Sequence, residues 1–171
     1  MKIKLGISSC LLGFNVRYDG GHKLDCSLRD TLGAFIEYVP VCPEVECGLG
    51  FPRESLRLEG EPDNPRLVTT GGKQDRTDLL VNWANKRVAE MEAANLYGFV
   101  FKSDSPSCGM ERGKVYNEKG MADKTGIGIF ARIFMEHFPL LPVEDERRLQ
   151  DSILCENFFE RIFALKGEVR S

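Results

Sequence analysis

A chain of 171 residues, 29% charged and 42% apolar, is composed like an ordinary globular protein and is long enough to bury a core without disulfide or metal staples. Its formal net charge of −3 gives no general basic footprint for nucleic acid, so any such contact would have to be local. No apolar run approaches the ~20 residues of a membrane span. The opening MKIKLGISSC lacks the long apolar segment and A-x-A site of a signal peptide, so the expectation is a cytoplasmic protein, a single domain over 1–171, with no membrane partner.

Ile3 to Ile7 is a short, mostly apolar segment that runs into Ser8, Ser9 and Cys10, a strand entering a loop. About Ser27 to Ile36 reads as a helix, with Leu28, Leu32 and Phe35 on one face. Tyr38 to Val41 reads as a second strand, closed by Cys42-Pro43. From Leu49 to Thr70, three prolines and several charges predict irregular chain with one short strand at Leu67 to Thr69. The clearest helix runs from about Asp75 to Ala94, with Leu80, Trp83, Ala84, Val88 and Met91 on its inner stripe and Asp75 or Thr77 as cap. A third strand, Phe99 to Phe101, leads into FKSDSPSCGM, which reads as an exposed loop. A polar hairpin follows over Lys114 to Asp123, turning at Asn117 and Gly120. Ile127 to His137 is predicted as an amphipathic helix, Leu140 to Val143 as a last strand, and Asp145 to Ala164 as one or two helices. Strands alternating with helices argue for a parallel α/β sheet.

The six cysteines are Cys10, Cys26, Cys42, Cys47, Cys108 and Cys155. In a reducing compartment they are not expected to form a disulfide framework, and the absence of C-x-x-C excludes a zinc ribbon or a thioredoxin-type motif. Three of the predicted strands are followed by a cysteine: Cys10, Cys42 and Cys108. Ligands of parallel sheets sit beyond the carboxyl ends of the strands, so these thiols are placed to converge on one crevice. Three thiolates form a soft ligand set for an iron–sulfur cluster, zinc or copper(I). A cubane held by three cysteines keeps one iron open to act as a Lewis acid. Glu44 would hang over the same crevice, with Lys102, Ser105 and Ser107 approaching from the third loop. The alternative is three separate packing cysteines, against which stand their neighbours Ser9, Pro43 and Gly109.

The stretches GISSCLLG, VRYDGGHK, VPVCPEVECGLGFPRESLRL, FKSDSPSCGMERGKVY and GIGIFARIFMEHFPLLPVEDERRL resemble, in order and over about Lys4 to Phe163, the thiouracil desulfidase family. The pairing of C-P-E-V with S-P-S-C-G makes the likeness specific. The resemblance implies a Rossmann-like α/β fold, a three-layer parallel sheet with helices on both faces. It also implies a [4Fe-4S] cluster on three cysteines and removal of sulfur from thiolated uracil bases without net redox chemistry, giving a carbonyl and sulfide. Matched motif by motif, the cluster ligands are Cys10, Cys42 and Cys108, the catalytic carboxylate is Glu44, and the catalytic serine is Ser105, with Ser107 as second choice. Cys47 is a rival to Cys42, which the strand-end position favours. Val16 stands where many relatives carry a further cysteine before R-Y-D-G. Oxygen can strip such a cluster in air-purified protein and leave a disulfide between site cysteines.

The ending, from about Asp145 to Ser171, resembles the junction to a second domain in a subgroup linked to thiouridine removal from tRNA. The chain is then either free-standing or a fragment of such a two-domain protein. Net negative charge and this sequence without the second domain lead to the expectation of a small thiolated base, nucleoside or nucleotide (2-thiouracil, 4-thiouracil or 4-thiouridine) rather than intact tRNA. Two rival classes stand beside this desulfidase. One is a sulfurtransferase carrying persulfide on Cys10 or Cys108, and the other is a structural zinc module with Glu44 as fourth ligand.

Arg17, Tyr18 and Asp19 are candidate substrate contacts, with Gly20 and Gly21 allowing close backbone approach; D-G-G is equally a turn signal. His22 reads as a surface or hydrogen-bonded histidine, and His137 as a favourable charge at a helix end. Gly71-Gly72 precedes a helix but lacks a phosphate-loop pattern, and reads as a loop. Cys26 and Cys155 read as packing residues and Trp83 as core.

Overall fold

The computed structural model describes residues 2–12, 36–49 and 54–170. In chain order its elements are β1 (Ile3–Ser8), β2 (Ile36–Val41), β3 (Leu56–Glu61), β4 (Asn64–Thr69), α1 (Thr77–Ala94), β5 (Phe99–Phe101), β6 (Gly113–Tyr116), β7 (Ala122–Gly126), α2 (Ile129–His137), β8 (Val143–Asp145) and α3 (Ser152–Arg170). They fall into two compact units. One draws on residues 1–41, 91–102 and 138–171, and the other on 42–90 and 103–137.

The first unit holds a four-stranded, all-parallel sheet in the order β2-β1-β5-β8. Its inner strands are almost wholly apolar and buried, as strands covered on both faces must be. Ile3, Leu5, Ile7 and Val100 pack with Phe158, Phe159 and Ile162 of α3, the two phenylalanine rings meeting edge to face at 5.4 Å. Asp151 caps α3, its Oδ1 accepting the N–H groups of Ile153 (2.9 Å) and Leu154 (3.2 Å). This is the parallel α/β sheet that the alternation argued for, with the Rossmann-like character that the resemblance implied.

Two expectations in this unit need correction. The last strand is Val143–Asp145, not Leu140 to Val143: Leu140 is 87% exposed, and Pro142 has no N–H to give a ladder. The apolar run misled because the true strand carries three acids in a row where it ends. Cys155 is fully buried as expected of a packing residue, but it is disulfide-bonded, against the expectation of thiols alone.

The second unit holds a sheet in the order β4-β3-β6-β7, antiparallel except for the β3–β6 pair. Strand β3 and the start of β4 lie where the sequence predicted irregular chain, and the short strand predicted at Leu67 to Thr69 is the end of β4. The prolines that suggested this are tolerated: Pro62 lies in the tight turn joining β3 to β4, and Pro65 sits on edge strand β4 opposite Gly60. Charged residues of β3 and β4 face outward while Leu58 and Leu67 are buried. The hairpin β6–β7 turns at Asn117 and Gly120 as predicted, with the Asn117 side chain accepting the N–H groups of Lys119 and Met121.

Helix α1 starts where Asp75 Oδ1 accepts the Thr77 N–H (2.9 Å), and Thr77 Oγ1 in turn accepts the Leu67 N–H (2.7 Å). Leu80 joins Cys47, Leu58, Leu67, Val115 and Ile129 in the core, and Trp83 stacks at a tilt on Phe130 with centroids 5.3 Å apart. Helix α2 begins two residues later than predicted, after Gly128. Leu80 is 0% exposed at the centre of this cluster, so Leu80→Ala should cost about 2–5 kcal/mol in denaturant unfolding, with an unchanged m-value.

Candidate active site

In the second unit the segment from Ser105 to Gly109 is bound tightly to the start of α2. Ser105 Oγ accepts the backbone N–H groups of Ser107 (3.2 Å) and Cys108 (3.0 Å), closing a side-chain turn. The Gly109 N–H donates to the Ser105 carbonyl at 2.8 Å. The N–H groups of Gly128, Ile129 and Ala131 donate to the carbonyls of Gly109, Pro106 and Ser107 at 2.7, 3.2 and 3.0 Å. Helix-start donors that would lack partners are thereby satisfied by the loop. The fit demands glycine: a Cβ on Gly128 would lie 2.6 Å from the Ser107 carbonyl carbon, and one on Gly109 2.8 Å from the Ser105 oxygen. The loop predicted to be exposed is therefore buried at its centre, with Ser107 at 1% and Cys108 at 3% exposure.

The second contributor is the turn that follows β2. Cys42 stands at its N-cap and Pro43 at its first position, where a missing N–H costs nothing. The Cys42 N–H donates to Glu46 Oε2 and the Glu46 N–H to the Cys42 carbonyl, both at 2.9 Å, a reciprocal cap. Arg87 holds Glu46 from α1 at 3.2 Å. The turn widens to a π-type turn over Val45–Leu49, with Gly48 at φ 103°. Cys47 points into the core, and its Sγ donates to the Glu44 carbonyl at 3.4 Å. Burial, aided by the charges of Glu44 and Cys42, pushes the Cys47 thiol up and keeps it protonated.

The two segments meet at a carboxylate and a hydroxyl. Ser107 Oγ donates to Glu44 Oε2 at 3.0 Å, lies 3.1 Å from Ser105 Oγ, and is 4.0 Å from Cys108 Sγ. Ser107 has one hydroxyl hydrogen and gives it to Glu44, so the hydrogen between the two serines comes from Ser105. The result is a directed chain, Ser105 to Ser107 to Glu44. Of the two candidate serines, Ser107 is the one that touches the carboxylate.

Glu44, Ser105, Ser107 and Cys108 thus come together, with Cys42 two residues from Glu44. Cys10 and Lys102 belong to the first unit. Cys10 is half-buried in the short helical turn Ser9–Leu12 directly after β1. The Lys102 N–H donates to Ser8 Oγ at 3.0 Å, and its ammonium pairs with Glu146 at 3.2 Å. The sequence reading placed Asp145 at a helix start and did not anticipate the buried acids Glu144, Asp145 and Glu146. Arg148 grips Glu144 with two nitrogens (2.7 and 3.3 Å) and donates its N–H to Asp145 Oδ1 at 2.7 Å. Burial pushes the Asp145 carboxyl above its ordinary value, and the charges of Glu146 and Glu144 add to this. Arg17, Tyr18, Asp19, Gly20, Gly21, His22 and Cys26 lie outside the described residues.

Residues 5–146 match the model of the 2-thiouracil desulfurase family. The chain belongs to that family. A curated relative, the uncharacterized protein YbbK of Bacillus subtilis (strain 168), is 31% identical over 136 residues, covering 76% of this chain and 88% of its own length. A solved structure, that of the [4Fe-4S]-dependent thiouracil desulfidase TudS, superposes with a TM-score of 0.65 at 31% identity, covering 91% of this chain and 99% of that one.

The donors of this family member suit an iron–sulfur cluster in kind. Cys10, Cys42, Cys47 and Cys108 are outside any disulfide, and thiols are soft ligands. Among the described residues no three histidine, cysteine, aspartate or glutamate side chains are closed into a metal-holding group. No helix among them is long and apolar enough to cross a membrane.

The raised Asp145 carboxyl makes a pH prediction. Neutral Asp145 stabilises the fold fully below the unfolded carboxylate value of about 3.9, and that contribution is lost as pH rises through the higher folded value. Asparagine keeps the acceptor for the Arg148 N–H without the charge. Urea titrations should therefore show Asp145→Asn gaining on wild type as pH rises from about 4 to 7; an equal difference at both ends would refute the assignment.

Proposed function

We propose that this chain is a desulfidase that hydrolyses thiolated uracil bases, nucleosides or nucleotides to their oxygen counterparts and sulfide. Family membership supports the substrate class, and the observation that carries the chemistry is the 3.0 Å hydrogen bond from Ser107 to Glu44 beside Cys108. A carboxylate braced by a buried hydroxyl is suited to take the proton of an attacking water. The water oxygen bonds to the thiocarbonyl carbon, the carbon–sulfur bond breaks, and no electrons are exchanged. Ser107 and Ser105 hold the carboxylate in line and carry a proton along a chain with a defined direction.

The proposed holders of a [4Fe-4S] cluster are Cys10, Cys42 and Cys108. When bound, such a cluster would supply an open iron that takes the departing sulfur as a Lewis acid. Cys42 is preferred to Cys47 because it stands directly after β2, at the strand end, whereas Cys47 is packed in the apolar core with its Sγ on the Glu44 carbonyl.

Iron and sulfide content after anaerobic reconstitution should fall in Cys10→Ser, Cys42→Ser and Cys108→Ser and persist in Cys47→Ser; the opposite result for Cys42 and Cys47 would reverse the ligand choice. Glu44→Ala should keep iron and lose turnover by ~10²–10⁴-fold. Loss of iron in Glu44→Ala would make the carboxylate a ligand and favour the zinc reading. Ser107→Ala should slow turnover more than Ser105→Ala, since only Ser107 touches Glu44.

A further inference from the structure

The loop Thr69–Gln74, between β4 and α1, takes no part in the chemistry above. It is held rigid from both sides: the Thr69 N–H donates to the Gln74 carbonyl and the Gln74 N–H to Thr69 Oγ1, both at 2.9 Å. The Lys73 N–H returns to the Thr69 carbonyl at 3.2 Å with Lys73 at φ 55°. In this frame the consecutive N–H groups of Gly71 and Gly72 point at one spot. A carboxylate oxygen already sits there: Glu54 Oε2 accepts from Gly71 and, at 2.6 Å, from Gly72. Successive backbone N–H groups aimed at one anion form a nest, the geometry that phosphate-binding loops use.

Two further observations extend this beyond a loop staple. Glu54, Thr69, Gln74 and Arg76 line an open cavity of about 180 Å³, together with Leu49 and Leu56. Arg76 Nε is buried with no hydrogen-bond partner among the described residues, although the same guanidinium donates to Gln74 Oε1. That nitrogen is shut off from solvent, but Arg76 as a residue lines the cavity, and a guanidinium is a natural partner for an oxyanion. A Cβ on Gly71 would lie 2.6 Å from the Glu54 oxygen, so a methyl group there would crowd the spot where the anion sits. Lys73 adds local positive charge, shared with Glu59 at 2.9 Å.

We propose that the Gly71–Gly72 nest and the Arg76-lined cavity form a binding site for a phosphate-class oxyanion, with the Glu54 carboxylate as a built-in competitor that incoming phosphate displaces. The site stands independently of the desulfidase reading, because its donors are a backbone turn and a guanidinium outside the Glu44–Ser107 pair. Its phosphate could be inorganic or the 5′-phosphate of a nucleotide.

Calorimetric titration of the full chain with inorganic phosphate at low salt tests this. Glu54→Gln should bind at least about tenfold more tightly than wild type, the gain expected if the carboxylate closes the nest about nine-tenths of the time. Gly71→Ala in the Glu54→Gln background should abolish that gain while leaving thermal unfolding close to that of Glu54→Gln, and Arg76→Lys should weaken it. Uridine 5′-monophosphate binding more tightly than phosphate, with uridine failing to compete, would support the site as a nucleotide phosphate site; equal affinities would support it as a site for phosphate itself. Glu54→Gln binding phosphate no more tightly than wild type, or binding it equally with alanine at 71, would overturn the proposal.

Discussion

The carbonyl groups of Pro106, Ser107 and Gly109 accept the first N–H groups of α2, and the rest of the candidate site depends on that docking. A helix start presents donors that must be satisfied, and here they hold three carbonyls of the Ser105–Gly109 loop in place. The consequence is a serine 1% exposed whose hydroxyl has one direction to point, toward Glu44. Glycine at 109 and 128 is the sequence's contribution to this fit, since a methyl group at either place would press on backbone. Precise placement of a proton-transferring group comes from packed backbone rather than from the serine itself.

Charge is handled differently in the two units. In the second, the site carboxylate is braced by neutral hydroxyls, and the thiol nearest its backbone is kept protonated by the apolar core. In the first, three consecutive acids are buried where β8 ends, and cations offset them: Arg148 on Glu144 and Lys102 on Glu146. Asp145 between them accepts the backbone N–H of Arg148 and bears the desolvation. Lys102, read from the sequence as a catalytic candidate, is thus anchored to a buried carboxylate at the end of β5.

The strands of the parallel sheet were legible because buried parallel strands are continuous apolar runs, as in Phe99 to Phe101. The long helix was legible from its stripe and its Asp75 cap. In the second sheet the β6–β7 hairpin and the end of β4 were legible, but β3 and the start of β4 were not, because they alternate leucines with charges and β4 carries a proline that only an edge strand tolerates. The strand Val143–Asp145 escaped because burial of E-D-E depends on Arg148 and Lys102, partners that no local pattern reveals. The residues of the candidate site were found from the motifs C-P-E-V and S-P-S-C-G, but the choice between Ser105 and Ser107 was not open to sequence. Both lie in one motif, and only the fold decides which hydroxyl reaches Glu44. The burial of Cys108 was likewise hidden, since serines, a proline and a glycine read locally as surface.

The central claim is that Glu44 and its serine chain direct water onto a thiocarbonyl carbon without electron transfer. Reconstituted protein should be incubated with 2-thiouracil or 4-thiouridine in heavy-oxygen water without reductant, and the products weighed by mass spectrometry. The account predicts repeated turnover, sulfide, and uracil or uridine carrying one heavy oxygen. Turnover that stops after one equivalent until a thiol is added, with sulfur retained on Cys10 or Cys108, would contradict it.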